Sequence, residues 1–197
     1  MRIVKDPDER KQEILDAAIR VFARKGYEHT TISDVAKEIG VSQGLCYRYF
    51  PSKEAMYDAA IDEYAEYIAT QNLKLANINP HMPLKEQIYQ ISGRMGEYML
   101  AEKKKSDLYE LFHKEGNHKL HNELFLRVAQ KLVPYVTRTL ETAIDRGEIS
   151  VKDPAAMARF CVFGQVGILM DRELTQEEQS QQIQDCLMGI LGLQEKR

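Results

Sequence analysis

At 197 residues the chain has room for one medium domain or a small domain joined to a larger one, and its net charge of −3 excludes a uniformly basic nucleic-acid binder. With 44% hydrophobic residues it is not disordered, and its three cysteines, Cys46, Cys161 and Cys186, form no CxxC pair, so a reduced intracellular protein is expected. The opening MRIVKDPDERKQEILDAA is too charged for a signal peptide and the longest apolar run, FCVFGQVGILM, is too short for a membrane helix, so the expected location is cytoplasmic with no membrane partner.

Nearly every segment reads as helix, which predicts an all-α fold. Ile14, Leu15, Ala18, Ile19 and Phe22 recur at helical spacing, and Gly26 stops this first helix. Thr31 is placed to cap a second helix with Asp34 at the reciprocal position, Ile32, Val35, Ala36 and Ile39 form its apolar stripe, and Gly40 ends it. The third helix starts at Ser42 or Gln43 and cannot pass Phe50, because Pro51 disfavours helical geometry in the residue before it. Ser52 then caps a fourth helix that runs on past Tyr64, Tyr67 and Ile68.

The stretch NINPHMP (77–83) is the clearest break in the chain. Beyond it, Ile88, Ile91, Met95 and Met99 mark one helix, DLYELFHKEG a short one, and a long helix from about Lys119 to Arg146 is expected to kink at Pro134. The penultimate helix is apolar around most of its circumference, from Ala156, Met157, Phe160 and Cys161 to Val166, Gly167 and Met170. Such a helix is buried on two sides: it is either a core helix within one subunit or, with the last helix (Ile183, Cys186, Leu187, Ile190, Leu191), half of a homodimer interface.

Residues 1–53 carry ten Lys and Arg against eight Asp and Glu, and the rest seventeen against twenty-two, so only the front end is mildly basic. Within it, two short helices joined by Gly40-Val41-Ser42 have the shape of a helix-turn-helix, whose second helix enters the DNA major groove. Gln43 offers an amide suited to adenine, Gly44 lets the backbone approach, and Leu45 suits a thymine methyl. Tyr47 and Tyr49 carry hydroxyls that can donate to phosphate, and Lys53 adds a phosphate contact. The other reading of the tyrosines is as core aromatics with hydrogen-bonded hydroxyls.

The first 57 residues resemble the DNA-binding domain of TetR-family (tetracycline-repressor-like) transcriptional regulators. The run AIRVFARKGYEHTTISDVAKEIGVS followed by GLCYRYFPSKEAMY carries the likeness, with Phe22, Gly26, Tyr27, Thr31, Gly40, Ser42, Gly44, Tyr47, Tyr49, Phe50, Ser52 and Lys53 where that family's pattern has them. The resemblance implies that Thr31 and Ser33 touch the DNA backbone. Ser42, Gln43, Gly44, Leu45, Tyr47 and Arg48 form the reading surface, Tyr49 and Lys53 hold phosphates, and Phe50 packs inside. Leu45 and Cys46 depart from it: the family usually has a small polar residue and then leucine there, so Leu45 changes the reading face and Cys46 fills the buried position as a small hydrophobe.

By the same resemblance, residues 1–53 form the DNA-binding domain, and 54–197 a helical ligand-binding and dimerisation domain that pairs through the last two helices. The implied activity is that of a repressor released from a palindromic double-stranded operator by a small, mostly apolar or aromatic molecule. Tyr64, Tyr89, Met95, Tyr98, Met99, Tyr109, Phe112, Phe125 and Tyr135 are the candidates to line its pocket. The alternative is a DNA-binding regulator, or a DNA-organising protein, controlled by a protein partner. His113, His118 and His121 have no zinc-ligand spacing and are read as surface histidines. No GxSxG, GxxxxGK[ST] or GxGxxG occurs, so neither an enzyme, a metal site nor a cofactor is expected.

Overall fold

The Asp6 carboxylate opens the first helix, α1 (Pro7–Lys25), by accepting the Asp8 N–H at 2.9 Å, and Pro7 fits the first helical position, where no N–H is needed. Asp8 and Glu9 in the first turn and Arg24 and Lys25 in the last complement the helix dipole. Gly26, at φ +80°, ends the helix with its N–H on the Phe22 carbonyl at 2.8 Å.

The computed structural model describes residues 6–93, 118–171 and 173–194. Among them it contains helices and no strand, in keeping with the all-α expectation. After α1 come α2 (Ile32–Glu38), α3 (Gln43–Tyr49), α4 (Lys53–Ala76), α5 (Leu84–Gly93), α6 (His118–Asp145), α7 (Pro154–Leu169) and α8 (Gln176–Ile190). Two compact units divide the chain, with breaks inside α4 after Tyr67 and inside α6 after Leu124. The helix expected at DLYELFHKEG, and Met95 and Met99, lie outside the described residues. α6 runs without interruption through Pro134.

In the first unit, local chemistry sets every helix boundary. Thr31 Oγ1 accepts the Asp34 N–H at 3.2 Å while Asp34 Oδ2 accepts the Thr31 N–H at 2.9 Å, a complete capping box for α2. The turn out of α2 needs Gly40 at φ +65°, where the Val41 N–H reaches back to the Ala36 carbonyl at 2.9 Å and the Gly40 N–H to Lys37 at 3.3 Å. Ser42 Oγ accepts the Leu45 N–H at 3.3 Å to start α3, and Ser52 Oγ accepts the Ala55 N–H at 3.0 Å to start α4. Ile14, Val21, Phe22, Val35, Cys46, Met56 and Ile61 are fully buried and form the core.

Ion pairs tie α1 to α2. Lys25 Nζ lies 2.8 Å from Asp34 Oδ1 and Arg24 Nη2 donates to Glu38 Oε2 at 2.8 Å. The Lys25 ammonium and the Thr31 donors hold the Asp34 carboxyl well below the usual carboxylate range, and the Arg24 guanidinium lowers Glu38. Both folded-state values are depressed, so the stabilisation is complete above the unfolded carboxylate range and is lost as pH falls through it toward the folded values. The melting temperature of the first unit is therefore expected to drop between about pH 5 and 3. Asp34→Asn should make that drop shallower in a pH series of thermal melts; an unchanged slope would show that the Lys25 pairing contributes nothing.

The second unit repeats the same capping logic. Asp153 Oδ1 accepts the Ala156 N–H at 2.8 Å ahead of Pro154 to start α7. Thr175 and Glu178 form a second capping box at α8, whose two hydrogen bonds from Thr175 lower the Glu178 carboxyl. Leu84, Ile88, Leu140, Ala143, Ala158, Cys161, Met188 and Leu191 form the core, and a smaller cluster gathers Phe125 and Phe163 around Ala129, Val162 and Val166. The expected break at 77–83 is a turn pinned from α5 and the end of α6. Gln87 Nε2 donates to the Met82 carbonyl at 2.8 Å, and Arg146 Nη2 to the Pro80 carbonyl at 2.7 Å.

Candidate functional site

Because α3 is so short, its two faces separate cleanly. Cys46 is fully buried and Phe50, at the helix end, is 4% exposed. Burial pushes the Cys46 thiol up, so this residue is a small hydrophobe in the core and not a thiolate. On the opposite side Gln43, Gly44, Tyr47 and Arg48 are exposed, Tyr47 to 48%. Positions i, i+1, i+4 and i+5 share one side of a helix, so a single surface carries an amide, a bare backbone, a phenol and a guanidinium. Leu45 and Tyr49 flank it half-buried, and Ser42 is exposed with its hydroxyl on the Leu45 N–H.

Thr31 is exposed and Ser33 half-buried at the start of α2, which packs on α3. The Thr31 hydroxyl already donates to Asp34 Oδ2 at 2.8 Å and accepts the Asp34 N–H, so toward a ligand it can only accept. Lys53 is tethered: its Nζ donates to the Tyr27 carbonyl at 2.9 Å and lies 4.2 Å from the centre of the Tyr27 ring. Two of its three N–H donors remain for an anion.

Behind Lys53 stands an aromatic cluster that sequence reasoning missed. Tyr57 meets Phe22 edge to face at 5.0 Å and Tyr27 at 4.8 Å, and its hydroxyl donates to Glu123 Oε2 at 2.7 Å. Phe22, Tyr27 and Lys53 all belong to the recognised pattern, but no local signal joins Tyr57 to a carboxylate 66 residues away.

A cavity of about 90 Å³ lies in the second unit, between α5, α6, α7 and α8. Of the described pocket candidates only Tyr135 lines it. Tyr64 is buried in the first unit, 6.2 Å from the Tyr67 ring; Tyr89 is 46% exposed; Phe125 packs in the cluster around Ala129. Met95, Tyr98, Met99, Tyr109 and Phe112 lie outside the described residues, as do His113 and the His118 side chain. The wall includes residues the sequence reading left out, among them Gln87, Ile88, Leu140, Cys161, Gln165 and Ile183. Among the described residues no three His, Cys, Asp or Glu side chains are grouped to hold a metal ion, and no helix is long and apolar enough to cross a membrane.

One side of α7 and α8 is apolar and uncovered. Phe160 is 65% exposed, with Ala156, Gly164 and Gly167 exposed above and below it, and on α8 Ile190 is 42% exposed beside Cys186 and Gly189. The opposite side of α7, with Ala158, Cys161, Val162 and Val166, is buried in the core.

A family model described as bacterial regulatory proteins, tetR family, matches residues 14–60. YfiR of Bacillus subtilis, an HTH-type transcriptional regulator, is 30% identical over 186 residues, which are 88% of this chain and 84% of YfiR. IcaR of Staphylococcus aureus, the HTH-type negative transcriptional regulator of the biofilm operon icaADBC, is 31% identical over 80 residues, 41% of this chain and 42% of IcaR. Two further curated regulators of B. subtilis match at 34% and 41% identity, and this chain spans only 28% and 29% of their length. Among solved structures, a TetR-family transcriptional regulator from Mesorhizobium loti superposes over 96% of this chain and 98% of its own, with a TM-score of 0.61 and 18% identity, a likeness of fold.

Proposed function

Because the chain belongs to the tetR family of bacterial regulatory proteins, helix-turn-helix regulators that bind DNA operators as dimers and are not enzymes, we propose that it is a repressor that grips an operator through α3 and releases it when a small, mostly apolar molecule occupies the second unit. The exposed face of α3 carries this reading. A seven-residue helix, capped by Ser42 and stopped before Pro51, presents Gln43, Gly44, Tyr47 and Arg48 to solvent while Cys46 anchors it from behind. That is the arrangement of a helix built to enter a major groove. Residues 1–53 then read DNA, and 54–197 dimerise and respond to ligand.

The sign of regulation follows IcaR, a negative regulator, and the cavity supports a small molecule over a protein partner as the trigger. Two copies joined through the open side of α7 and α8 bind a two-fold operator when their α3 helices are held roughly 34–36 Å apart, or a multiple of it. A ligand that favours another spacing weakens binding by its differential affinity for the two conformations.

The test is a fluorescence-anisotropy titration with DNA from immediately upstream of the protein's own gene, with excess nonspecific competitor and a salt series. Tight, competitor-resistant binding to a palindromic fragment is expected; uniformly weak, salt-labile binding to every fragment would contradict the reading. Within that assay Gln43→Ala should cost about 1–3 kcal/mol at one base position and leave the others unchanged. Lys53→Met, which keeps the stem over Tyr27, should weaken binding to all sequences alike and lower the log–log salt slope by about 0.9. If Gln43→Ala behaved like Lys53→Met, α3 would not be in the groove.

A further inference from the structure

The cavity in the second unit has an unusual polar inventory for a mostly apolar space. Gln87 is only 6% exposed, and its Nε2 donates to the Met82 carbonyl at 2.8 Å. A carbonyl oxygen can only accept, so the amide cannot be turned over, and Oε1 is the other branch. Among the described residues nothing donates to that oxygen. Leaving a buried acceptor unpaired is costly, and in a native protein it marks a place where something else arrives.

The Ser92 and Thr139 hydroxyls lean the same way. Ser92 Oγ gives its proton to the Ile88 carbonyl at 2.8 Å and Thr139 Oγ1 to the Tyr135 carbonyl at 3.2 Å, so both face the cavity as acceptors. Gln165 Nε2 donates to the Cys161 carbonyl at 3.2 Å, which leaves its Oε1 as a further acceptor. No Lys, Arg, His, Asp or Glu is among the described residues of the wall. Among these residues a carboxylate would meet no cation, with only the Tyr135 hydroxyl and the second amide N–H of Gln87 and Gln165 to donate to it, and a cation would meet no carboxylate. A space of about 90 Å³ is smaller than the roughly 150 Å³ that takes up benzene, so a six-membered ring enters only as the surrounding helices yield.

We propose that this cavity binds a small neutral molecule with an apolar ring and one hydroxyl, a phenol or cyclic alcohol, whose O–H donates to Gln87 Oε1, and that it rejects carboxylates. This rests on reading the second unit as the ligand-responsive part of the regulator.

Calorimetric titration of the full chain with phenol, toluene and benzoate tests it. Phenol is expected to bind about tenfold more tightly than toluene, which leaves Oε1 unpaired, and benzoate not to bind. Gln87→Met should erase the preference for phenol over toluene while toluene still binds, a readout that mere loosening of the 77–83 turn would not give. Val136→Phe, which fills the cavity, should abolish binding of both. Tighter binding of benzoate than of phenol, no phenol binding at all, or phenol binding that survives Val136→Phe would each overturn the assignment. Operator release is measured separately with the same ligands. Phenol that binds as expected without releasing DNA supports the cavity's chemistry and removes the ligand-released reading alone.

Discussion

Phe22→Ala is expected to destabilise the first unit by about 3–5 kcal/mol, enough to unfold a domain of this size in a large fraction of molecules. Phe22 is fully buried, and its ring is both the wall against which Tyr57 stands edge-on at 5.0 Å and the floor under Tyr27 at 6.0 Å. Truncating it removes the contacts with Tyr27 and Tyr57 and leaves a void that the surrounding core can close only by shifting. The loss travels further than the core, because Lys53 is held by the Tyr27 carbonyl and ring, and α4 starts at Lys53. Chemical denaturation followed by tyrosine fluorescence and by circular dichroism separates the first unit's transition from the second's. Phe22→Leu, which keeps most of the volume, should lose markedly less than Phe22→Ala. Operator binding should vanish in Phe22→Ala at temperatures where the second unit stays folded. A change in stability below about 1 kcal/mol would mean that the cluster is not what holds the first unit together.

The end of α1, both ends of α2 and α3 and the start of α4 were legible in the sequence because each is set within four residues of itself. Thr31 with Asp34, Ser42 and Ser52 as caps, Gly26 and Gly40 as stops, and Pro51 all act on the nearest backbone groups, and the structure has every one of them in use. The buried and exposed sides of α3 were legible for the same reason, since a seven-residue helix leaves little choice of register. The tether on Lys53 was not: its partner is the carbonyl of a residue 26 positions earlier, and a carbonyl carries no sequence signal.

The wall of the cavity was less legible, for a different reason. Tyrosine and methionine at helical spacing mark burial, and burial alone does not separate a void from a packed core. Tyr64 and Phe125 satisfied that pattern by packing as ordinary core residues, and Tyr89 faces solvent. The informative residues were the polar ones inside apolar stripes. Gln87 sits between Leu84 and Ile88, and Gln165 between Cys161 and Val166, each where a stripe should continue. A glutamine at such a position needs a partner, and asking which one would have pointed at the cavity.

Phe160→Glu carries the other large expectation. The ring is 65% exposed on a helix that buries Ala158, Cys161, Val162 and Val166 on its other side, and the residues one turn away from the ring, Ala156 and Gly164, are small enough to admit a second helix closely. In a two-fold interface each substitution occurs twice, so burying the ring contributes on the order of 1.5–3 kcal/mol per copy, and replacing it by a carboxylate removes that and adds two desolvated charges. Sedimentation should show monomers at concentrations where the parent chain is dimeric. Operator affinity should fall by roughly 10²–10⁴, the advantage of engaging both half-sites at once. Binding to a single half-site should be unchanged, because α3 and its core lie in the first unit. Gly164→Leu tests the same surface without a charge. Within the protomer a Cβ at Gly164 meets nothing within 4 Å, so the protomer should be no less stable, and replacing a helical glycine stabilises it if anything. Only an approaching second copy would feel the added side chain. A Gly164→Leu protein that melts at or above the parent temperature yet sediments as a monomer places the interface on α7; one that remains dimeric, together with a dimeric Phe160→Glu, places it elsewhere.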